Sequence, residues 1–335
     1  MKTSTTINAI GFAFGIWICG LATATADIQV RLSVKFILNS DGSRPAVMPL
    51  EGGNEIGTQP AFEAAVRQGN QVLADTGRGY RLSVVEYVDI QPAAPSGQAA
   101  DYWFNLPARS NRQTIEDAAT ASAASKVTWQ WNANAINIYV NNSRSGQCSL
   151  VGQGGSIALG DPIFGLGTLV HEVGHVFDLR HTHPGDNNGS VAEWGNGDGL
   201  DETLPDDPDA SAADIADRYP NESQQKRDDL FFNVMSYHQE ERLLPVQMDL
   251  WTKNANNARA GFCSGKTWFV ANGGSDGSSG DTAASPLATV SKGLSKVSSA
   301  DDIILLRGGT FSAPPGRVIR TPCTLRATSG LVTVR

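Results

Sequence analysis

The clearest pattern along the chain is a period of two that starts at Ile28, where Ile28, Val30, Leu32, Val34, Phe36 and Leu38 alternate with mostly polar neighbours and predict a strand over 28–38. After a Gly/Pro-rich loop the period lengthens: Phe62, Ala65, Val66 and Val72 fall at helical spacing over 60–74. Strand character returns over 80–90, an Ala-rich stretch over 112–125 predicts helix, and 135–140 and 156–159 predict two further strands. From 182 to 227 the pattern is mostly loop. A closing helix is expected over 244–260, with Pro245 in its first turn and Val246, Leu250, Trp251 and Ala255 near one face. Strands alternating with helices predict an α/β (α+β) body in which a mid-chain helix packs under a mostly parallel sheet.

At Cys263 the composition shifts. Residues 273–285 are dense in Gly, Ser and Asp, and the tail beyond carries short β-like runs such as 303–306, 324–327 and 331–334. A boundary is expected near 264. The tail resembles the opening of a right-handed parallel β-helix, a small all-β segment with 288–290 leading into a short helix. Such solenoids normally need at least three repeats, and only one or two rungs fit here.

The first residues read as a secretory signal: Lys2, an apolar run over 10–21, and Ala24, Thr25 and Ala26 as a small-residue cleavage site. The organisation expected is therefore a signal peptide over 1–26, a main domain over 27–263 and a β-rich tail over 264–335. With 335 residues, 40% hydrophobic and 18% charged, the chain has an ordinary globular composition. Removing the signal takes away one lysine and no acid, which moves the formal charge from −8 to −9 and argues against a nucleic-acid partner. No other segment is apolar for long enough to span a bilayer, so the expectation is an exported protein, extracellular or periplasmic. Cys148, Cys263 and Cys323 then remain; an oxidising compartment permits one disulfide among them, with the pairing open.

The candidate chemistry lies in the middle of the chain. His171 and His175 are four residues apart, so on a helix their imidazoles share one face and reach one ion, while Glu172 beside them is free to accept a proton from metal-bound water. A bare HExxH recurs by chance on polar helices. A third ligand is needed, leaving one position open for water or substrate. On a continuing helix His181 would sit roughly 9 Å further along the axis and about 240° round from His175, so the helix must break between them.

The run His171-Glu172-Val173-Gly174-His175-Val176-Phe177-Asp178-Leu179-Arg180-His181 resembles the HExxHxxGxxH pattern of the metzincin zinc peptidases. It departs at one defined position, with Asp178 where glycine is usual; Asp visits the left-handed region more readily than most residues. Asn233-Val234-Met235-Ser236-Tyr237 resembles the clan's methionine turn. Together with His181-Thr182-His183 and the acidic run from Asp198 to Thr203, these stretches are most similar to the pappalysin-like metzincins, over about residues 28–262. The resemblance implies a secreted zinc endopeptidase with a twisted, mostly parallel sheet, an active-site helix and a Met-turn. It implies His171, His175 and His181 as zinc ligands, Glu172 as general base, Met235 as the floor beneath the metal and Tyr237 as a stabiliser of the oxyanion. Zinc held by three neutral imidazoles lowers the pKa of bound water towards about 7.

Alternatives stay open. His183 is a substitute third ligand, as are Glu193, Asp201 and Glu202 if the chain belongs to another zinc-peptidase group, and His238 reads most simply as a surface or supporting histidine. Asp198, Asp201, Glu202, Asp206, Asp207 and Asp209 form an acidic loop without a base. Hard oxygen ligands on a turning backbone suit calcium, which makes Asp198, Asp201, Asp206, Asp207 and Asp209 candidate ligands; a solvated rim favouring basic substrates is the competing reading. The leading function is hydrolysis of protein or peptide substrates. The alternatives are an adhesin-like binding protein with a structural or inactive metal site, and zinc-dependent hydrolysis of a non-peptide amide.

Overall fold

The structure is a computed structural model of the chain and describes residues 5–7, 27–45, 53–54, 58–143, 147–148, 154–160, 163–164, 167–184, 194–238, 241–312, 319 and 321–335. In chain order the strands are β1 Thr5–Ile7, β2 Ile28–Ile37, β3 Gly53–Asn54, β4 Tyr80–Ile90, β5 Ile136–Asn141, β6 Gln147–Cys148, β7 Ser156–Gly160, β8 Ile163–Phe164, β9 Thr267–Val270, β10 Ile303–Phe311 and β11 Thr324–Val334. The helices are α1 Gln59–Asp75, α2 Tyr102–Asn105, α3 Ala108–Thr120, α4 Ala123–Thr128, α5 Thr168–Val176, α6 Ala212–Arg218, α7 Gln224–Phe231, α8 Pro245–Asn256 and α9 Val290–Lys296. The chain divides into two compact units, one of 30–76 and 82–251, the other of 77–81, 252–335 and the described residues up to 29. The apolar run and cleavage signature expected over 10–26 lie outside the described residues.

The larger unit is a mixed α/β body. Its five-stranded sheet has the order β4-β2-β5-β7-β6; β2, β5 and β7 run parallel, and β6 pairs antiparallel with β7 at the edge. Every residue of β5 and β7 is buried, as expected of central parallel strands covered on both faces. Helix α1 begins where the Thr58 hydroxyl accepts from the Ala61 amide, and it turns Phe62, Ala65, Gly69, Val72 and Leu73 inward. Full burial of side chains the size of Phe62 or Leu73 is worth about 1.5–3 kcal/mol each. That face packs on α5, and a Cβ at Gly69 would meet Val170 Cγ2 at 2.7 Å, so glycine is what lets the two helices approach. On β7 lies α3, over a core of Trp103, Phe104, Ile115, Trp129 and Tyr139.

The sheet also carries a buried lysine. Ser33 on β2 is in register with Asn137 on β5, and Lys35 Nζ donates to the Asn137 side-chain oxygen at 2.6 Å, to the Ser33 carbonyl at 3.2 Å and to the Ser33 hydroxyl. Ser33 Oγ in turn donates to Glu86. Burial drives the Lys35 amine down to about 7, against the upward pull of Glu86.

In the smaller unit β9, β10 and β11 stack in parallel in sequence order, with β1 antiparallel to β11. Val270, Leu287, Val290, Ile304, Leu306, Phe311 and Val332 form its core.

Several elements differ from the sequence expectation. The helix expected over 112–125 is two, because Ser122 is extended and its hydroxyl caps α4 by accepting from the Ser125 amide. The stretch expected as loop over 182–227 contains α6 and the start of α7. Both are short and polar, but Ser211 forms a capping box with Asp214, and Ser223 caps Lys226. Helix α8 stops at Asn256, followed by a 3-10 turn at Ala260–Phe262, and the two runs 324–327 and 331–334 are one strand. Cys263 is buried and Cys323 half-buried, and they are not bridged to each other, which removes that pairing from the expected disulfides. The Cys148 side chain lies outside the described residues.

Candidate metal centre

Helix α5 is buried along its whole length, and its last turn decides the geometry of the site. Asp178 adopts φ +72°, the left-handed conformation the sequence required of it. The amide of Leu179 donates to the Gly174 carbonyl at 3.0 Å and that of Asp178 to the His175 carbonyl at 3.0 Å, the two bonds of a Schellman turn. The chain therefore doubles back instead of continuing the helix, and carries His181 to the face that holds His171 and His175.

The three imidazoles converge through their Nε2 atoms. The separations are 3.1 Å between His171 and His175, 3.2 Å between His171 and His181, and 3.0 Å between His175 and His181. His171 Nδ1 lies 2.6 Å from the Val234 carbonyl and His175 Nδ1 2.7 Å from the Leu179 carbonyl. A carbonyl only accepts, so both Nδ1 atoms carry the proton and both Nε2 atoms present lone pairs. Burial holds His171 down at about 3, helped by the neighbouring His175, and burial holds His175 at about 4. His181 is also pushed down, by burial first and then by His171, His175, His183 and Arg109. Neutral rings with their lone pairs converging on one point repel each other unless a cation lies between them. Zinc at about 2.0–2.1 Å from each nitrogen in tetrahedral geometry holds its ligands about 3.3 Å apart, close to the triangle formed here. Among the described residues this is the one group of three His, Cys, Asp or Glu placed to hold a metal ion.

The turn Asn233–Tyr237 closes the site from below. Asn233 accepts the Met235 amide at 2.9 Å and exchanges hydrogen bonds with the Gln247 side chain at 3.1 and 3.2 Å, which fixes the turn to α8. Its successive carbonyls then serve different histidines of the triangle: Val234 O accepts from His171, and Met235 O accepts the Thr182 amide at 3.1 Å, next to His181. Met235 is fully buried, and a Cβ at Gly174 would meet its Sδ at 2.9 Å. Glycine inside a helix costs about 1 kcal/mol relative to alanine, and the close approach of the methionine is the reason for it here.

Tyr237, 39% exposed, places its hydroxyl 3.3 Å from His181 Nε2, with its ring stacked over His171. Glu172 is buried beside His171. His183 is not a member of the triangle; its ring stacks on that of His181 at 4.8 Å and 10°, and both its nitrogens are buried without a hydrogen-bond partner among the described residues. Its backbone carbonyl sits where any Cβ at Gly197 would be, 1.8 Å away, so glycine is needed there as well.

The acidic loop does not gather its carboxylates. Asp201, Glu202 and Asp209 are exposed, the Asp198 side chain caps the Leu200 amide at 3.0 Å and that of Asp207 the Asp209 amide at 3.0 Å. Asp206 is wholly buried and committed to Thr182 and to His238 Nε2, the latter at 2.9 Å. The expected calcium ligands therefore act as turn caps and as a buried anchor, and His238 is a buried partner of Asp206, not a surface histidine. Glu193 lies outside the described residues. Sequence reading missed Thr182, Gly174 and Gly197; the two glycines, in a helix and in a loop already rich in Gly, gave no local signal of what approaches them.

No family model and no curated protein matches the chain. A solved chain described as "Structure of a chaperone-substrate complex" is similar over 52% of this chain and 29% of its own length, with 14% identity and a TM-score of 0.29, too low to bear on the fold.

Proposed function

We propose that the chain is a zinc-dependent endopeptidase resembling the pappalysin-like metzincins, exported and acting on protein or peptide substrates. The observation that carries this reading is the convergence of three imidazoles at 3.0–3.2 Å, two of them locked by backbone carbonyls, around a position that a left-handed Asp178 makes reachable. An all-nitrogen set of three ligands leaves a fourth position open, the arrangement of catalytic rather than structural zinc. When bound, zinc polarises a substrate carbonyl and makes water a competent nucleophile near neutral pH.

The protein's own groups do the rest. His171, His175 and His181 hold the ion. Glu172, a buried carboxylate next to a ligand, takes a proton from the attacking water and returns it to the leaving amine. Tyr237, half exposed and within 3.3 Å of a ligand nitrogen, donates its hydroxyl to the oxyanion as it develops. Export rests on the signal-like pattern of Lys2, the apolar run over 10–21 and the small residues Ala24, Thr25 and Ala26, and the acidic chain is unsuited to nucleic acid.

A second reading, adhesin-like binding through the smaller unit with a structural metal, is favoured by the parallel stacking of β9, β10 and β11. Incubation with casein or a peptide library separates the two. The peptidase reading expects cleavage that a chelator stops and added zinc restores; metal-loaded protein that cleaves nothing favours the binding reading.

A further inference from the structure

We infer that Asp206 is a positioning residue for the metal centre: one buried carboxylate that clamps together the two chain segments bearing the third histidine and the tyrosine. The inference rests on the metal-centre reading above. Asp206 is 0% exposed. Its Oδ2 accepts from the Thr182 hydroxyl, one residue after His181, and its Oδ1 accepts from His238 Nε2 at 2.9 Å, one residue after Tyr237. Its backbone is itself anchored, exchanging N–H to carbonyl bonds with Gly195 at 2.7 and 3.1 Å, and the His238 ring stacks on Phe231 at 5.3 Å.

The three ligands are not held alike, and this difference assigns the role. His171 and His175 each have their outer nitrogen fixed by a backbone carbonyl. Every polar contact of His181 goes through Nε2, the atom that faces the other two rings, so its Nδ1 has no such lock among the described residues. The placement of His181 depends instead on the backbone beneath it and on the stacked His183 ring. Thr182 fixes that backbone at three points: its amide on Met235 O, its carbonyl under the Gly197 amide at 2.8 Å, and its hydroxyl on Asp206. Only the last is made by a side chain, and the same carboxylate reaches the Tyr237 segment. An ionised carboxylate has acceptors alone, and it faces two donors here, so its geometry is satisfied without any bound ion.

The test reads metal retention and coordination, not turnover. Loss of an outer partner of a ligand lowers metal affinity by about 10–100-fold. Asp206→Ala and Thr182→Val are therefore expected to release zinc about 10–100-fold faster than wild type and to change the visible absorption of the cobalt-substituted protein. Thr182→Ser, which keeps the hydroxyl, restores both readouts. Asp206→Asn is also close to wild type, because its amide oxygen accepts from Thr182 while its NH2 donates to the other tautomer of His238; a role through charge would be lost equally in the Ala and Asn variants. If Asp206→Ala does not fold, the Thr182 pair decides. Wild type that retains metal no better than Thr182→Val, or Asp206→Asn as impaired as Asp206→Ala, overturns the clamp alone. Wild type that takes up neither zinc nor cobalt overturns the metal-centre reading and the clamp with it.

Discussion

His175 donates its Nδ1 proton, across 2.7 Å, to the carbonyl of Leu179, the residue that follows the left-handed Asp178. The turn that ends the helix is thus also the group that orients the helix's last histidine. One backbone reversal fixes the ring of His175 and brings His181 within 3.0 Å of it. A change at Asp178 acts on two histidines of the triangle at once.

Asp178→Gly should therefore keep a full complement of zinc, since glycine takes φ +72° without strain, and its melting temperature should stay near that of wild type. Asp178→Val should lose zinc, because a β-branched residue in the left-handed region costs at least about 1–2 kcal/mol and relaxes by straightening the turn. Elemental analysis and thermal melts of the two variants check this; equal zinc content in both would show that the turn does not control the site.

Gly174→Ala should destabilise the fold by about 1–3 kcal/mol, because the added methyl enters the space of the buried Met235 thioether. Combining it with Met235→Ala, which vacates that space, should cost less than the sum of the two single changes. Urea unfolding of the four proteins measures the coupling, and strict additivity would mean the two residues do not meet.

Lys35 makes stability depend on pH. Its amine titrates at about 7 in the folded chain, against 10.5 unperturbed, so between those values the unfolded chain carries a proton that the folded chain lacks. Stability from this group accordingly rises as pH rises through that window, and falls as pH is lowered towards 7. Urea midpoints at pH 7, 8 and 9 should climb in wild type relative to Lys35→Met; a difference between the two proteins that is independent of pH would contradict the burial account.

Tyr237→Phe removes a hydroxyl but no ligand. Zinc content should be unchanged, with kcat down by about 10²–10³ and KM little altered, as for the loss of one oxyanion donor. Unchanged kcat would remove Tyr237 from the chemistry.

Much of this arrangement is legible in the sequence, for identifiable reasons. The period-two run at Ile28 and the helical spacing from Phe62 report burial directly, and both became elements within a residue or two of their expected ends. His171, His175 and His181 are legible because residues able to share one metal ion must fall at restricted spacings. The polar helices α6 and α7 bury little but Ile215 and Leu230, so their signal lies in caps instead of periodicity. Asp206 was misread because six acids in one loop look alike in sequence; what separates it from Asp201 or Asp209 is burial against Thr182 and His238, contacts spanning 24 and 32 residues.

The central claim is that the histidine triangle holds zinc and that Glu172 acts on a proton beside it without being a ligand. Measuring zinc content and peptide cleavage on the same preparations of wild type and Glu172→Gln tests both halves together. The account predicts one zinc per chain in each protein, with cleavage in wild type and none detectable in Glu172→Gln; full cleavage by the variant, or a wild type that binds no zinc, would contradict it.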